Sequence, residues 1–125
     1  MVLKSILIID DSNISRRILI KAVQDLGADP ADILTAATVD DAMAQWKIFD
    51  QVNGIVFLDI VLPGHGGGLD LLEQFKKDCP GSRIIIQSSR TDKESILRAR
   101  DLGASYYLIK PFSIEKLKVV LEKLS

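Results

Sequence analysis

Five short apolar runs, each followed by a longer amphipathic stretch, constrain this chain more than any other feature of its sequence. The runs are Ile6-Leu7-Ile8-Ile9, Ile33-Leu34-Thr35-Ala36, Ile55-Val56-Phe57-Leu58, Ile84-Ile85-Ile86 and Tyr106-Tyr107-Leu108-Ile109. They have strand length, are rich in β-branched residues and are continuous rather than alternating, as suits strands covered on both faces. The stretches between them carry helical punctuation. Ser12 or Asn13, Thr38, Thr91 and Ser113 stand where N-caps belong, and Gly27 and Gly103 stand where glycine ends a helix. In the last stretch Ile114, Leu117, Leu121 and Leu124 recur at three and four residues and predict one buried stripe. The whole pattern predicts an α/β fold: a five-stranded parallel sheet with helices on both faces.

A chain of 125 residues with 47% hydrophobic content is long and apolar enough for one domain, residues 1–125, with a full core. Sixteen basic residues against seventeen acidic ones leave no overall field that would draw nucleic acid or an anionic membrane. The single cysteine, Cys79, has no partner for an intrachain disulfide and no metal-type spacing around it, which suits a reducing compartment. The apolar start ends at Asp10-Asp11, too soon for a signal peptide or a membrane span, so a soluble, cytoplasmic protein is expected.

In open α/β sheets ligands bind beyond the carboxyl ends of the strands. The first strand ends in Asp10-Asp11, the third in Asp59, the fourth in Ser88 and the fifth in Lys110. Singly, each has an ordinary explanation as a helix cap, a turn former or a solvated charge. Together they bring three carboxylates, a hydroxyl and an ammonium to one edge, where the carboxylates repel by several kcal/mol at an effective dielectric of about 20. A divalent cation removes that repulsion, and an oxygen-only donor set points to a hard ion, Mg²⁺. A carboxylate beside such an ion, faced by an ammonium and a hydroxyl, has what in-line phosphoryl transfer requires, with Asp59 as the nucleophile.

Asp10-Asp11, Asp59 followed by Pro63-Gly64, Ser88, and Lys110-Pro111 at these distances resemble the receiver domain of response regulators, over essentially the whole chain. The resemblance implies a flavodoxin-like, doubly wound sheet of strand order 2-1-3-4-5. It implies that Asp59 is the phosphoacceptor, that Asp11 and Asp59 bind Mg²⁺ directly, that Asp10 acts mainly through a water, and that Val61 offers its backbone carbonyl. Ser88 and Lys110 would hold phosphoryl oxygens, Lys110-Pro111 would be a cis bond, and Tyr107, three residues before the lysine, would be the switch aromatic that answers to Ser88. The donor would be a sensor histidine kinase or a histidine phosphotransfer protein. The output would be a remodelled face of the fourth helix, fifth strand and fifth helix that binds a downstream protein. Such a domain catalyses its own phosphorylation and dephosphorylation as a switch and is not a separate enzyme.

Some residues depart from the family pattern. The loop Pro63-Gly64-His65-Gly66-Gly67-Gly68 has a glycine run and one extra position, and it lacks the lysine and Ser/Thr context of a phosphate-binding loop. His65 is expected to be solvated. Ser89 and Arg90 follow Ser88 where alanine is usual first, and Arg90, Lys93, Arg98 and Arg100 offer a basic docking face or a merely solvated one. A phosphatase of the haloacid dehalogenase type would need a carboxylate where Val61 stands, and a flavin carrier would be repelled by Asp10-Asp11. A receiver used as a constitutive interaction module would not need the full acceptor set. With no effector segment after Ser125, output by reversible protein contact is expected, unless the chain is a piece of a longer protein.

Overall fold

The computed structural model describes residues 3, 5–64 and 66–124. Its elements in chain order are β1 (Ile6–Ile9), α1 (Asn13–Asp25), a 3-10 turn (Pro30–Asp32), β2 (Ile33–Ala36), α2 (Val39–Ile48), β3 (Ile55–Leu58), α3 (Gly67–Asp78), β4 (Arg83–Ser88), α4 (Lys93–Asp101), β5 (Tyr106–Ile109) and α5 (Ile114–Leu124). β4 is longer than its apolar run because Arg83 pairs with Ile55, while Gln87 and Ser88 pair with Leu108 and Ile109. All four strand pairings are parallel, and the order is β2-β1-β3-β4-β5.

Side chains alternate along each strand, and the two sets enter two different apolar layers. Leu7, Ile9, Val56, Leu58, Ile84 and Ile86 pack with residues of α2, α3 and α4, among them Trp46, Leu72, Phe75 and Ala99. Ile6, Ile8, Ile55, Phe57, Ile85 and Leu108 pack with α1 and α5 through Leu19, Val23, Leu117 and Leu121. Burying each such side chain contributes about 1.5–3 kcal/mol, so neither layer is dispensable to strands that lack a solvent face. In the first layer the Trp46 and Phe75 rings stack with centroids 4.1 Å apart, and the indole N–H donates to Asp78 at 3.0 Å.

The helix ends follow the caps with one correction. Ser12, Thr38 and Ser113 accept from the N–H groups of Ser15, Asp41 and Lys116, each at 3.1 Å. Gly27 and Gly103 take the positive φ values, 111° and 101°, that let a chain leave a helix. α4, however, is capped by Asp92 and not by Thr91: the Asp92 carboxylate accepts from Ser95 N–H at 3.0 Å and from Ser95 Oγ at 2.7 Å. A carboxylate is the stronger acceptor and also complements the helix dipole. In α5 the buried residues are Leu117, Val120 and Leu121, while Ile114 is 37% exposed. Ile114 opens the helix, and its side chain leans toward the N-terminus and out of the layer. Among the described residues no helix is long and apolar enough to cross a membrane.

Candidate functional site

The register of the sheet lines up the acidic residues. Ile9 pairs with Leu58, and Leu58 with Ile86. One residue further along these three neighbouring strands stand Asp10, Asp59 and Gln87, sharing the parity of Ile8, Phe57 and Ile85 and so facing the α1 and α5 layer. The backbone holds this row in place: Asp10 N–H donates to Ala36 at 3.0 Å and Asp59 N–H to Ile9 at 2.9 Å. Lys110 joins from the end of β5, its own N–H bonded to the Ser88 carbonyl at 2.8 Å.

Asp10 is only 1% exposed. Its Oδ1 accepts from Ser12 N–H at 2.9 Å, and its Oδ2 accepts from Lys110 Nζ at 2.6 Å and Gln87 Nε2 at 3.1 Å. The same Lys110 Nζ reaches Asp59 Oδ2 at 2.9 Å, and Asp59 Oδ1 accepts from Val61 N–H at 3.0 Å. Asp11 is exposed, yet its carboxylate brings an oxygen within 4.8 Å of those of Asp10 and Asp59. One ammonium therefore faces three carboxylates.

The imbalance shows in how these groups titrate. Burial pushes the Asp59 carboxyl above the usual aspartate range; Lys110 and the Val61 amide pull it down without cancelling the rise, and the nearby Asp10 charge adds to it. Burial acts on Asp10 too, but the Lys110 ammonium, Ser15, the Ser12 amide and Gln87 together outweigh it and hold Asp10 below that range. For Lys110, burial works against the charge, while its bonds to Asp10 and Asp59 keep the ammonium above the usual lysine range. Oxygen donors converging with too little positive charge fit a hard divalent cation, the ion that most relieves such a cluster.

The other residues singled out from the sequence stand close by. The Ser88 hydroxyl accepts from Arg90 N–H at 3.2 Å, so in this state it is committed to its own loop. The Tyr107 hydroxyl donates to the Arg90 carbonyl at 2.8 Å; burial raises the phenol's pKa, with the Ser88 hydroxyl acting against the rise. The Lys110-Pro111 peptide is cis. Val61 is largely exposed and donates to Asp59 through its amide. His65 lies outside the described residues.

Three contributors escaped the sequence reading. Gln87 holds Asp10, and its one sequence signal was a long polar side chain closing an otherwise apolar run. Arg16 donates through Nη1 to the Asp10 carbonyl at 2.6 Å. Gly68 lets α3 begin against the strand end: its N–H donates to the Ile60 carbonyl at 2.9 Å, and a Cβ there would lie 2.7 Å from Ile60 Cα and would also press on the Asp59 carbonyl.

Comparison with known proteins agrees with this geometry. A family model described as the response regulator receiver domain matches residues 6–122. The chain is 32% identical over 120 residues to the DNA-binding transcriptional regulator NtrC of Azospirillum brasilense, covering 95% of this chain and 24% of that one. It is 29% identical to the chemotaxis protein CheY of Listeria monocytogenes, covering 94% of this chain and 95% of that one. Among solved structures it resembles the CheX-CheY-BeF3-Mg+2 complex from Borrelia burgdorferi with a TM-score of 0.86 and 25% identity, covering 96% of this chain and 87% of that one. The chain thus spans about a quarter of the length of the first curated relatives it matches. Receiver domains bind Mg²⁺ in an acidic pocket and interact with histidine kinases or phosphotransfer proteins. With the fold, the strand order and the match over residues 6–122 in agreement, the chain belongs to the receiver domain family of two-component response regulators.

Proposed function

We propose that residues 1–125 form one receiver domain in which Asp59 takes a phosphoryl group from the phosphohistidine of a sensor histidine kinase or a histidine phosphotransfer protein. The observation that carries this reading is the position of Lys110 Nζ, 2.6 Å from Asp10 Oδ2 and 2.9 Å from Asp59 Oδ2. Asp10, Asp11, Asp59 and the Val61 backbone carbonyl would hold Mg²⁺, which when bound neutralises charge developing on the phosphoryl oxygens. An Asp59 carboxylate oxygen attacks phosphorus, the P–N bond breaks, and the imidazole leaves. Lys110, already on Asp59, follows the transferred group, and the Ser88 hydroxyl leaves Arg90 N–H for a phosphoryl oxygen. Water later cleaves the acyl phosphate, releasing inorganic phosphate and restoring the Asp59 carboxylate, so the chain resets itself.

A cavity of about 450 Å³, lined by Ser12, Ile14, Ile18, Gln87, Lys110 and Phe112, opens beside the cluster at Lys110, and this apolar rim would be where the donor protein docks. Output passes from Ser88 and Tyr107 to the face formed by α4, β5 and α5, which binds a downstream protein in the cytoplasm. The test is incubation with Mg²⁺ and acetyl phosphate followed by intact mass measurement. One phosphate should be gained, lost on hydroxylamine treatment, and absent in Asp59→Asn. Undiminished labelling of that variant would refute Asp59 as the acceptor.

A further inference from the structure

Gln87 is the only amide side chain in the row of strand-end residues. It is 1% exposed and sits directly after three isoleucines that are fully buried. β3 lies between β4 and β1, so Gln87 and Asp10 are two strand spacings apart, roughly 9–10 Å at the backbone. The gap is closed by the length of both side chains, which meet at 3.1 Å. A buried amide survives where it is bonded, and here the bond goes to the carboxylate on which the proposed cation site depends.

We infer that Gln87 is a positioning residue: its amide fixes the Asp10 carboxylate independently of Lys110, so that Lys110 can leave Asp10 for the phosphoryl group without Asp10 turning away. The inference rests on the reading of Asp59 as phosphoacceptor. Lys110 divides one ammonium between Asp10 and Asp59. Once Asp59 carries a phosphoryl group, its oxygens compete for that ammonium. Asp10 then keeps Ser12 N–H on Oδ1 and Gln87 on Oδ2. The two donors differ in kind. The ammonium neutralises Asp10, whereas the amide fixes its direction and leaves its negative charge available to a cation.

The experiment is calorimetric Mg²⁺ titration of wild type, Gln87→Met, Lys110→Ala and the double variant. Gln87→Met keeps the length and removes the donor, and it should bind Mg²⁺ roughly tenfold more weakly, as for other partners of metal ligands. Lys110→Ala removes a competing charge, so the coupling is read as a difference: the loss caused by Gln87→Met should be larger in the Lys110→Ala background than in wild type, because each donor covers for the other. Wild-type affinity in Gln87→Met would overturn the inference. An independent readout needs no change at residue 87. In ¹⁵N-labelled protein one Gln87 side-chain amide proton should be strongly deshielded, should stay so in Lys110→Ala, and should lose the shift in Asp10→Ala. An unshifted proton, or one that moves back when Lys110 is removed, would also overturn it. Acetyl phosphate labelling of the wild type separates the two readings, since it tests Asp59 whatever Gln87 does.

Discussion

The Tyr107 hydroxyl donates to the backbone carbonyl of Arg90 at 2.8 Å, while the N–H of that same residue is held by the Ser88 hydroxyl at 3.2 Å. The two proposed switch residues thus grip one residue of the β4–α4 connection from both ends. If Ser88 turns to the phosphoryl group, Arg90 N–H is released, and Tyr107 becomes the remaining tie. Tyr107→Phe removes that tie from the resting state, which a single hydrogen bond stabilises by about 1 kcal/mol. Half-saturation by beryllofluoride, a stand-in for the acyl phosphate, should then need about fivefold less ligand in the presence of Mg²⁺. NMR of the amides of residues 90–102 would follow the change. Weaker or unchanged beryllofluoride binding would show that the bond does not hold the resting state.

Asp10 and Asp59 should have opposite effects on stability in metal-free protein. Asp59, pushed up by burial, carries a charge that the native state disfavours. That penalty is complete above its native titration point, shrinks as pH falls through it, and is gone below the ordinary aspartate range near pH 4. Asp10 is held low despite its burial, so its contribution is present above about pH 4 and is lost as pH falls through its lower native value. At pH 7 with chelator, Asp59→Asn should raise the melting temperature by a few degrees, and Asp10→Asn should destabilise by about 1–3 kcal/mol. Thermal scans from pH 3 to pH 7 should show both differences closing toward the acid end. Equal effects of the two substitutions at pH 7 would contradict the assigned shifts.

For Mg²⁺ the ranking changes. The oxygens of Asp10 are already engaged by Ser12, Lys110 and Gln87, whereas Asp11 is exposed and free to turn toward an ion. Asp11→Ala should weaken Mg²⁺ binding on the order of 100-fold, and Asp10→Ala less, about 30-fold. Calorimetry gives both values. Wild-type affinity in Asp11→Ala would remove it from the ligand set.

A backbone test complements these. Gly68→Ala would force a methyl group against Ile60 and the Asp59 carbonyl and should destabilise by about 1–3 kcal/mol while slowing labelling of Asp59. Gly81 is the control, because a Cβ there meets nothing within 4 Å. Denaturant melts of the two variants should separate clearly. Similar midpoints would mean that α3 can retreat from the strand end without strain.

Much of this could be read from the sequence, because five apolar runs with β-branched content admit few arrangements and the polar residues that end them must share an edge. The strands and most caps are properties of local chemistry, and the comparisons bear out the fold and family they imply. What stayed hidden depends on register and reach. Gln87 meets Asp10 only because β3 intervenes at a particular offset, and no local pattern encodes a contact between residues 77 positions apart. Asp92 displaced Thr91 as the α4 cap because two adjacent acceptors compete for the same N–H groups, and spacing alone does not rank them. Nor does a run of three glycines announce that its last member, Gly68, stands at a close approach to Ile60 and the Asp59 carbonyl.

The aromatic stack also determines which observations are informative. Trp46, the only tryptophan, is buried against Phe75 in the layer of α2, α3 and α4, while Asp10, Asp59 and Gln87 face the opposite side of the sheet. Its emission therefore has a private view of one half of the molecule: it lies across the sheet from the acidic row but shares a layer with Ala99 of α4 and with Tyr107, the proposed switch aromatic. A change in that emission on phosphorylation would thus report repacking passed through the sheet to the α4 side, not contact with the phosphoryl group itself.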